Sequence, residues 1–230
     1  MAPLPPVPEP ICLPEASSPT SESVPLRAGL RIRGACLYAV PFFLLQAWAV
    51  LPAIPVEPEP PAPVILHDAS GKKIAPLADR GQKATVLFFL TTECSIGNGY
   101  APEIARIVED YRKSGVVCYS IYAHETAREV QQHVRDFRLG LTALLDRGLV
   151  LARRTGATVT PEACVVSPSG EVVYRGRIDD RAVKPGTVRL EPRVRDLRLA
   201  LDAVIQGRPV PVKFTQAVGC YLDFPAAGGK

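Results

Sequence analysis

The sequence predicts an α/β domain built on a mixed β-sheet with helices on both faces. The apolar run ATVLFFL (residues 84–90) is typical of a central strand that is buried on both sides. A helical pattern and a second apolar run, GVVCYSIYA (115–123), follow it and complete a parallel βαβ unit. Further on, ACVVSPSGEVVYRGRI contains two β-rich runs around a Ser-Pro-Ser-Gly turn, which indicates a hairpin. A parallel unit followed by an antiparallel hairpin and a closing helix requires a mixed sheet.

The remaining elements follow from periodicity and capping signals. A short strand is predicted over 64–67, and a helix over 100–114, where apolar residues recur at helical spacing. The segment TAREVQQHVRDF opens with a capping box, Thr126 and Glu129, and predicts a second helix. LTALLD predicts a short strand and GLVLARRTG a short helix, and a last helix is expected over about 191–206.

The first 63 residues differ in composition from the rest, because fifteen of the 24 prolines lie there. Residues 1–30 are predicted to be a disordered Pro-rich leader, and 31–53 a signal peptide or membrane anchor. A Pro-rich linker over 54–63 then leads to the globular domain, 64–222, and a tail, 223–230. Signal peptides rarely carry so long a stretch before their basic residues, so we hypothesise that residues 1–23 come from an overlong gene call.

The segment 31–53 has the layout of an export signal. Arg31 and Arg33 precede a charge-free run from Gly34 to Val56, and Ala47-Trp48-Ala49 fits a cleavage site. The run is also just long enough to span a bilayer as an uncleaved anchor. The chain is therefore expected to be periplasmic or otherwise extracytoplasmic, with the N-terminal segment as its only membrane contact.

The composition argues against several kinds of partner. The net charge is +4, with basic and acidic residues interspersed, and no nucleic-acid-binding module is recognisable. The three histidines stand at no metal-ligand spacing from cysteines or acids. We therefore expect no nucleic acid, no metal and no cofactor.

Cys94 is the strongest candidate for chemistry, because it lies where a buried strand passes into a helix. The N–H groups of a helix N-terminus stabilise the thiolate, which is the nucleophilic form of cysteine. Cys118 and Cys164 lie inside apolar strands, where cysteine behaves as a small hydrophobic residue. Cys220 lies in the segment FTQAVGCYLDF near the C-terminus, and three readings of it stay open: the resolving partner of Cys94, an intermolecular disulfide, or no role.

Three segments resemble the thioredoxin-like superfamily, in particular the redoxins that approach the alkyl hydroperoxide reductase/thiol-specific antioxidant group. They are VLFFLTTECSIGNGYAP, TVTPEACVV, and SPSGEVVYRGRIDD with the later TQAVGC, and the resemblance covers roughly residues 62–222. The resemblance implies a thioredoxin-like fold with Cys94 as the nucleophile. It also implies a cis-proline loop at Thr160-Pro161 that docks an extended substrate segment, although a plain trans loop proline is the alternative.

The resemblance is incomplete at the cysteine motif. Gly97 stands where thioredoxins have their resolving cysteine, and Phe88 stands where they have a buried aspartate. Thr91 satisfies the peroxiredoxin pattern Thr-x-x-Cys, but Pro161 takes the place of the peroxiredoxin arginine. These departures put the ordinary two-cysteine cycle in question and direct attention to Cys220 as the resolving cysteine.

Three functions are consistent with the sequence. The first is an exported thiol–disulfide redox protein that exchanges with a thiol or disulfide protein substrate or reductant through Cys94, with Cys220 or an external thiol resolving the mixed disulfide. The second is a one-cysteine peroxidase in which Cys94 becomes a sulfenic acid. The third is a non-enzymatic module that uses the docking edge alone.

Overall fold

The computed structural model describes residues 62–78 and 80–225. The predicted leader, the signal or anchor segment and nearly all of the linker lie outside these residues. Within the described residues, no helix is both long enough and apolar enough to cross a membrane. In chain order the elements are β1 (Leu66–Asp68), β2 (Lys73–Ile74), β3 (Ala84–Phe89), α1 (Ser95–Arg112), β4 (Val116–Tyr122), α2 (Ala127–Asp136), β5 (Thr142–Leu145), α3 (Val150–Thr155), β6 (Val159–Thr160), β7 (Glu162–Val166), β8 (Val172–Gly176), β9 (Ala182–Lys184), β10 (Thr187–Val188), α4 (Asp196–Ile205) and β11 (Cys220–Tyr221).

The main sheet is mixed, as predicted, and has seven strands in the order β2-β1-β5-β4-β3-β7-β8. β3 pairs in parallel with β4, and β4 in parallel with β5. The hairpin β7–β8 joins antiparallel to β3, and β1 joins antiparallel to β5. Two small two-stranded sheets, β9–β10 and β6–β11, complete the described fold.

The apolar run of β3 follows from the central position of this strand, because its side chains point alternately into two apolar clusters. Val86 and Phe88 pack into one apolar cluster together with residues of α1, α2 and α4. Leu87 and Phe89 point to the other face and pack with residues of α3 and β1. A strand covered on both faces needs apolar residues at every position, and all six residues of β3 are buried.

Helix α1 begins at Ser95, five residues earlier than the predicted start at 100. Cys94 is the N-cap residue: its backbone is extended, and its sulfur accepts a hydrogen bond from the backbone N–H of Gly97. Gly97 and Gly99 lie in the first turns of the helix. Cys94 was expected where the strand passes into a helix, and the structure places it directly at the helix N-terminus.

Helix α4 is shorter than the predicted span of 191–206 and begins at Asp196. The carboxylate of Asp180 accepts hydrogen bonds from the backbone N–H groups of Arg193 and Val194, at 2.7 and 3.0 Å. These backbone groups are therefore held by a different segment and do not join the helix. The sequence could not show this, because Asp180 acts across thirteen residues of chain.

Helix α2 follows its prediction closely. Both halves of the capping box are present: the backbone N–H of Glu129 donates to Thr126 Oγ1 at 3.3 Å, and the N–H of Thr126 donates to Glu129 Oε2 at 2.6 Å.

Candidate functional site

The site forms where the C-terminal end of β3, the start of α1 and the loop before β7 meet. Cys94 follows β3 after a four-residue turn and is only 1% exposed. The Thr160–Pro161 peptide bond is cis, as the resemblance implied, and it lies beside Cys94. The Cys94 thiol donates to the carbonyl oxygen of Thr160, with 3.1 Å between sulfur and oxygen.

Cys220 is the second sulfur in the site. Its Sγ atom lies 3.3 Å from Cys94 Sγ, although the two residues are 126 positions apart in the chain. Both are free thiols in this structure. The strand β11 brings Cys220 there by pairing antiparallel with β6, so that Cys220 stands opposite Thr160 and Tyr221 opposite Val159.

Two hydrogen bonds meet at the Cys94 sulfur. The Gly97 N–H donates to Cys94 Sγ at 3.4 Å, and the Cys220 thiol donates to the same atom. The hydrogen bond to Cys94, together with burial and the charge of Cys94, raises the pKa of Cys220 above its ordinary value. Cys220 therefore holds its proton more firmly than an ordinary cysteine.

The other two described cysteines are poorly suited to redox chemistry. Cys118 lies in β4 and Cys164 in β7, and burial raises the pKa of each thiol to about 12. A thiol with so high a pKa is almost entirely protonated near neutral pH and reacts slowly.

A groove of about 520 Å³ opens beside the two sulfur atoms. Thr91 and Tyr221 contribute to its wall, and its charged residues are Glu93, Glu125 and Glu129, next to His124. Glu125 is 8% exposed, and its carboxylate accepts hydrogen bonds from the N–H groups of Thr92 and His124, at 3.0 and 3.1 Å. Glu125 thereby positions the turn that carries Cys94.

A buried polar chain, missed by the sequence analysis, supports the same turn. Asn98 donates from Nδ2 to the carbonyl of Thr92 at 3.0 Å, and its Oδ1 lies 2.7 Å from His133 Nε2. His133 Nδ1 lies 2.9 Å from the hydroxyl of Tyr122. Because the amide oxygen can only accept, Nε2 carries the proton and Nδ1 accepts from Tyr122. His133 stands three residues after Val130, on the apolar face of α2, and that spacing was the available signal of its burial.

Glu162 positions the loop that carries the cis-proline, as Glu125 positions the turn that carries Cys94. It is 3% exposed, and its Oε2 accepts from the backbone N–H groups of Thr158 and Val159, at 2.8 and 3.4 Å. Burial raises the pKa of Glu162, although these hydrogen bonds and Arg175 oppose the effect. One carboxyl group therefore fixes the backbone that leads into β6 and the cis-proline.

The comparisons with known proteins agree with this geometry. The family model for AhpC/TSA matches residues 59–175, about half of the chain. The chain belongs to the AhpC/TSA family. Thr91, Cys94, Thr160 and Pro161 lie inside the matched range of this AhpC/TSA chain, whereas Cys220 lies outside it. No curated protein matches this chain.

Two solved structures with TM-scores above 0.6 share the fold of this chain. A hypothetical protein from Sinorhizobium meliloti 1021 is 26% identical with a TM-score of 0.63, over 72% of this chain and 93% of its own. An uncharacterized conserved protein from Geobacillus kaustophilus is 24% identical with a TM-score of 0.62, over 73% and 91%. A secreted Mycobacterium tuberculosis disulfide oxidoreductase is 18% identical with a TM-score of 0.45, over 63% and 95%. The AhpC/TSA chain is a thioredoxin-like redoxin domain protein, and its family supports a redox role.

Proposed function

We propose that this chain is an exported thiol–disulfide redox protein in which Cys94 is the nucleophile and Cys220 the resolving cysteine. The distance of 3.3 Å between the two sulfur atoms carries the proposal, because it brings them within reach of a disulfide after a small movement. The position of Gly97, where thioredoxins have a second cysteine, is then no obstacle. Thr160 and Pro161 serve as the docking edge, and no metal or cofactor takes part.

The proposed cycle balances atoms and electrons. The Cys94 thiolate attacks a substrate disulfide, forms a mixed disulfide and releases one substrate thiolate, which takes a proton from solvent. Cys220 then loses its proton and attacks Cys94 Sγ, which forms the Cys94–Cys220 disulfide and releases the second substrate thiol. Two molecules of an external thiol restore the reduced pair and leave as their own disulfide.

Peptide mapping under non-reducing conditions tests the pairing. After mild oxidation we expect a linked peptide that contains Cys94 and Cys220, and we expect C94S and C220S each to abolish catalytic reduction of a protein disulfide. C118A is the matched control and should keep its activity, because the Cys118 thiol has a raised pKa. Recovery of both Cys94 and Cys220 as free thiols after oxidation would defeat the proposal.

A peroxidase is the second candidate, favoured by the AhpC/TSA family and by the Thr91-x-x-Cys94 pattern. Here Cys94 attacks the peroxide, becomes a sulfenic acid and releases water or alcohol. The Cys220 thiol then condenses with the sulfenic acid, which forms the Cys94–Cys220 disulfide and releases water. C220S separates the two candidates. A peroxidase would accumulate sulfenate at Cys94 of C220S within seconds of adding peroxide, whereas a disulfide exchanger would react with disulfides faster than with peroxide.

Export rests on residues 31–53, whose basic start and apolar run favour passage across a membrane. N-terminal sequencing of the mature protein tests it: a start at Val50 would support cleavage after Ala49. A chain that keeps its apolar run and sediments with membranes would support an anchor. A full-length chain in the soluble cytoplasmic fraction would contradict export.

A further inference from the structure

The C-terminal segment, residues 213–222, is attached to the domain at both ends and ends in the short strand β11 beside Cys94. Its first end is fixed to β8: the N–H of Arg175 donates to the Lys213 carbonyl at 2.9 Å, and the N–H of Thr215 donates to the Arg175 carbonyl at 3.1 Å. The Thr215 hydroxyl also accepts from the N–H of Arg177 at 3.1 Å. This end of the segment is therefore bound to the main sheet by backbone and side chain.

Its second end is fixed to β6. Beyond the pairing of Cys220 with Thr160, the N–H of Leu222 donates to the Thr158 carbonyl at 2.9 Å. The Leu222 side chain is 6% exposed and packs into the apolar cluster of the α3 face. Tyr221, between the two, is 85% exposed. Leu222 therefore anchors this end of the segment in the core, while Tyr221 faces solvent.

Gly219 is what permits so close an approach. A Cβ atom at this position would lie 1.9 Å from the carbonyl oxygen of Thr160, which is far closer than any real contact. Because this oxygen belongs to the backbone, it cannot move aside as a flexible side chain could. Any larger residue would push the segment away from β6. Gly99, in α1, offers the contrast, because a Cβ there meets nothing within 4 Å.

We propose that residues 216–222, here named the strap, are a resident occupant of the docking edge that a polypeptide partner must displace to reach Cys94. The inference rests on the proposed function for the reactivity of Cys94, but the occupancy of the edge stands on the contacts above. The pairing partner of Thr160 is already taken, and Cys94 is 1% exposed while Cys220 is exposed.

The strap also describes the class of partner that fits. It lies antiparallel to β6, with glycine before the cysteine, a solvent-facing residue after it and a buried apolar residue two positions after it. A partner that takes its place is an extended, cysteine-bearing segment of the same pattern. Its disulfide is attacked by Cys94 while the strap is displaced, and Cys220 completes the exchange when the strap returns, as in the cycle above.

Pulsed alkylation of the reduced protein, with each cysteine quantified by mass spectrometry, tests the strap. In the wild type we expect Cys220 to be labelled well before Cys94. G219A should raise the labelling rate of Cys94 by about tenfold or more, because it shifts a local opening equilibrium. G99A is the matched control and should leave that rate unchanged. The fully buried Cys164 reports global unfolding and must stay unlabelled on this timescale.

L222D provides a second variant, since a charge cannot occupy the apolar site of Leu222, and it should expose Cys94 in the same way. The proposal that the strap must be displaced would be overturned if Cys94 of the wild type were labelled as fast as Cys220. It would also be overturned if G219A and L222D, with Cys164 still protected, left the Cys94 rate unchanged.

A peptide tests the partner class. The probe is QAVGCYLDF, the sequence of residues 216–224, with its cysteine activated as a mixed disulfide with thionitrobenzoate. Its attachment to Cys94 should be faster in C220S/G219A than in C220S/G99A, and slower when its leucine is replaced by aspartate. Equal rates with the two peptides would contradict the partner pattern. Failure of the Cys94–Cys220 linkage on oxidation, with these results intact, would instead reject the proposed function.

Discussion

At the scale of single residues, the site depends on polar groups that hold the Cys94 turn in place. Glu125 binds the backbone of Thr92 and His124, and Asn98 links the Thr92 carbonyl to His133. These side chains donate and accept within a largely buried region, where an unpaired polar group is costly. The position of the sulfur is therefore expected to be sensitive to residues that never touch a substrate.

Asn98→Ala should destabilise the protein by about 1–3 kcal/mol, because it leaves His133 Nε2 and the Thr92 carbonyl without their partner. Urea unfolding followed by circular dichroism measures the change. Gln132→Ala, which removes only exposed hydrogen bonds with Asp136 and Arg135 on α2, is the control and should stay within about 0.5 kcal/mol. An equal effect of the two substitutions would contradict the role given to the buried chain.

His133 gives a pH dependence whose sign follows from its burial. Burial lowers the pKa of His133 below its ordinary value of 6.5, although Glu125 and Asp136 oppose this. The unfolded chain therefore takes up a proton that the folded chain resists, and stability falls as the pH decreases through 6.5.

Wild type should accordingly lose stability relative to His133→Gln between about pH 7.5 and pH 5.5, as measured by urea unfolding at each pH. Comparison with the variant removes the contribution of Asp146 and Glu162, whose pKa values burial raises and which act in the opposite direction. A constant difference between the two proteins across this range would show that His133 does not titrate as described.

At the scale of elements, the sequence predicted the helices and strands that contacts between nearby residues stabilise. The capping box of α2 is within four residues, and the apolar run of β3 reflects burial of both its faces. The start of α4 was misplaced because a distant partner, Asp180, decides it. The start of α1 was misplaced because its N-cap is Cys94, and cysteine is not one of the residues that usually signal a helix start. Strands of two residues, such as β6 and β11, are too short to show any periodicity.

Thr126→Ala should cost about 1 kcal/mol of stability, because it removes the side-chain half of the α2 capping box. Thermal and urea unfolding measure the loss. Thr187→Ala, at an exposed position in β10, makes the same chemical change without a cap and should be close to neutral. A loss no larger than that of Thr187→Ala would mean that tertiary packing alone holds the start of α2.

At the scale of the whole molecule, Glu103 joins α1 to α4. It is 2% exposed, and its carboxylate accepts from Arg106 at 2.7 Å, from Arg198 at 2.8 Å and from Arg195 at 3.3 Å. Burial alone would raise the pKa of Glu103, but the hydrogen bonds from Arg198 and Arg106 outweigh it and lower that pKa. The cluster keeps α4 against the helix that carries the site.

Glu103→Ala should destabilise the protein by about 3 kcal/mol, because it removes a buried carboxylate that binds three arginines, of which Arg198 is only 19% exposed. Glu109→Ala on the same helix is the control, since Glu109 and Arg112 are 67% and 63% exposed. Such a surface pair contributes at most about 0.5 kcal/mol, so the control should be nearly silent in urea unfolding. Comparable losses in the two variants would reject the cluster as a link between helices.

The sequence by itself determined the fold class, the βαβ unit and hairpin, the capped helix α2 and the candidacy of Cys94. These follow from apolar periodicity and capping, which depend on neighbours a few residues apart. Only the tertiary structure decided that Cys220 lies 3.3 Å from Cys94, that Cys220 pairs with Thr160 in β6, and that Asn98 and His133 support the turn. Those contacts join residues from 35 to 126 positions apart, and no local pattern encodes such distances.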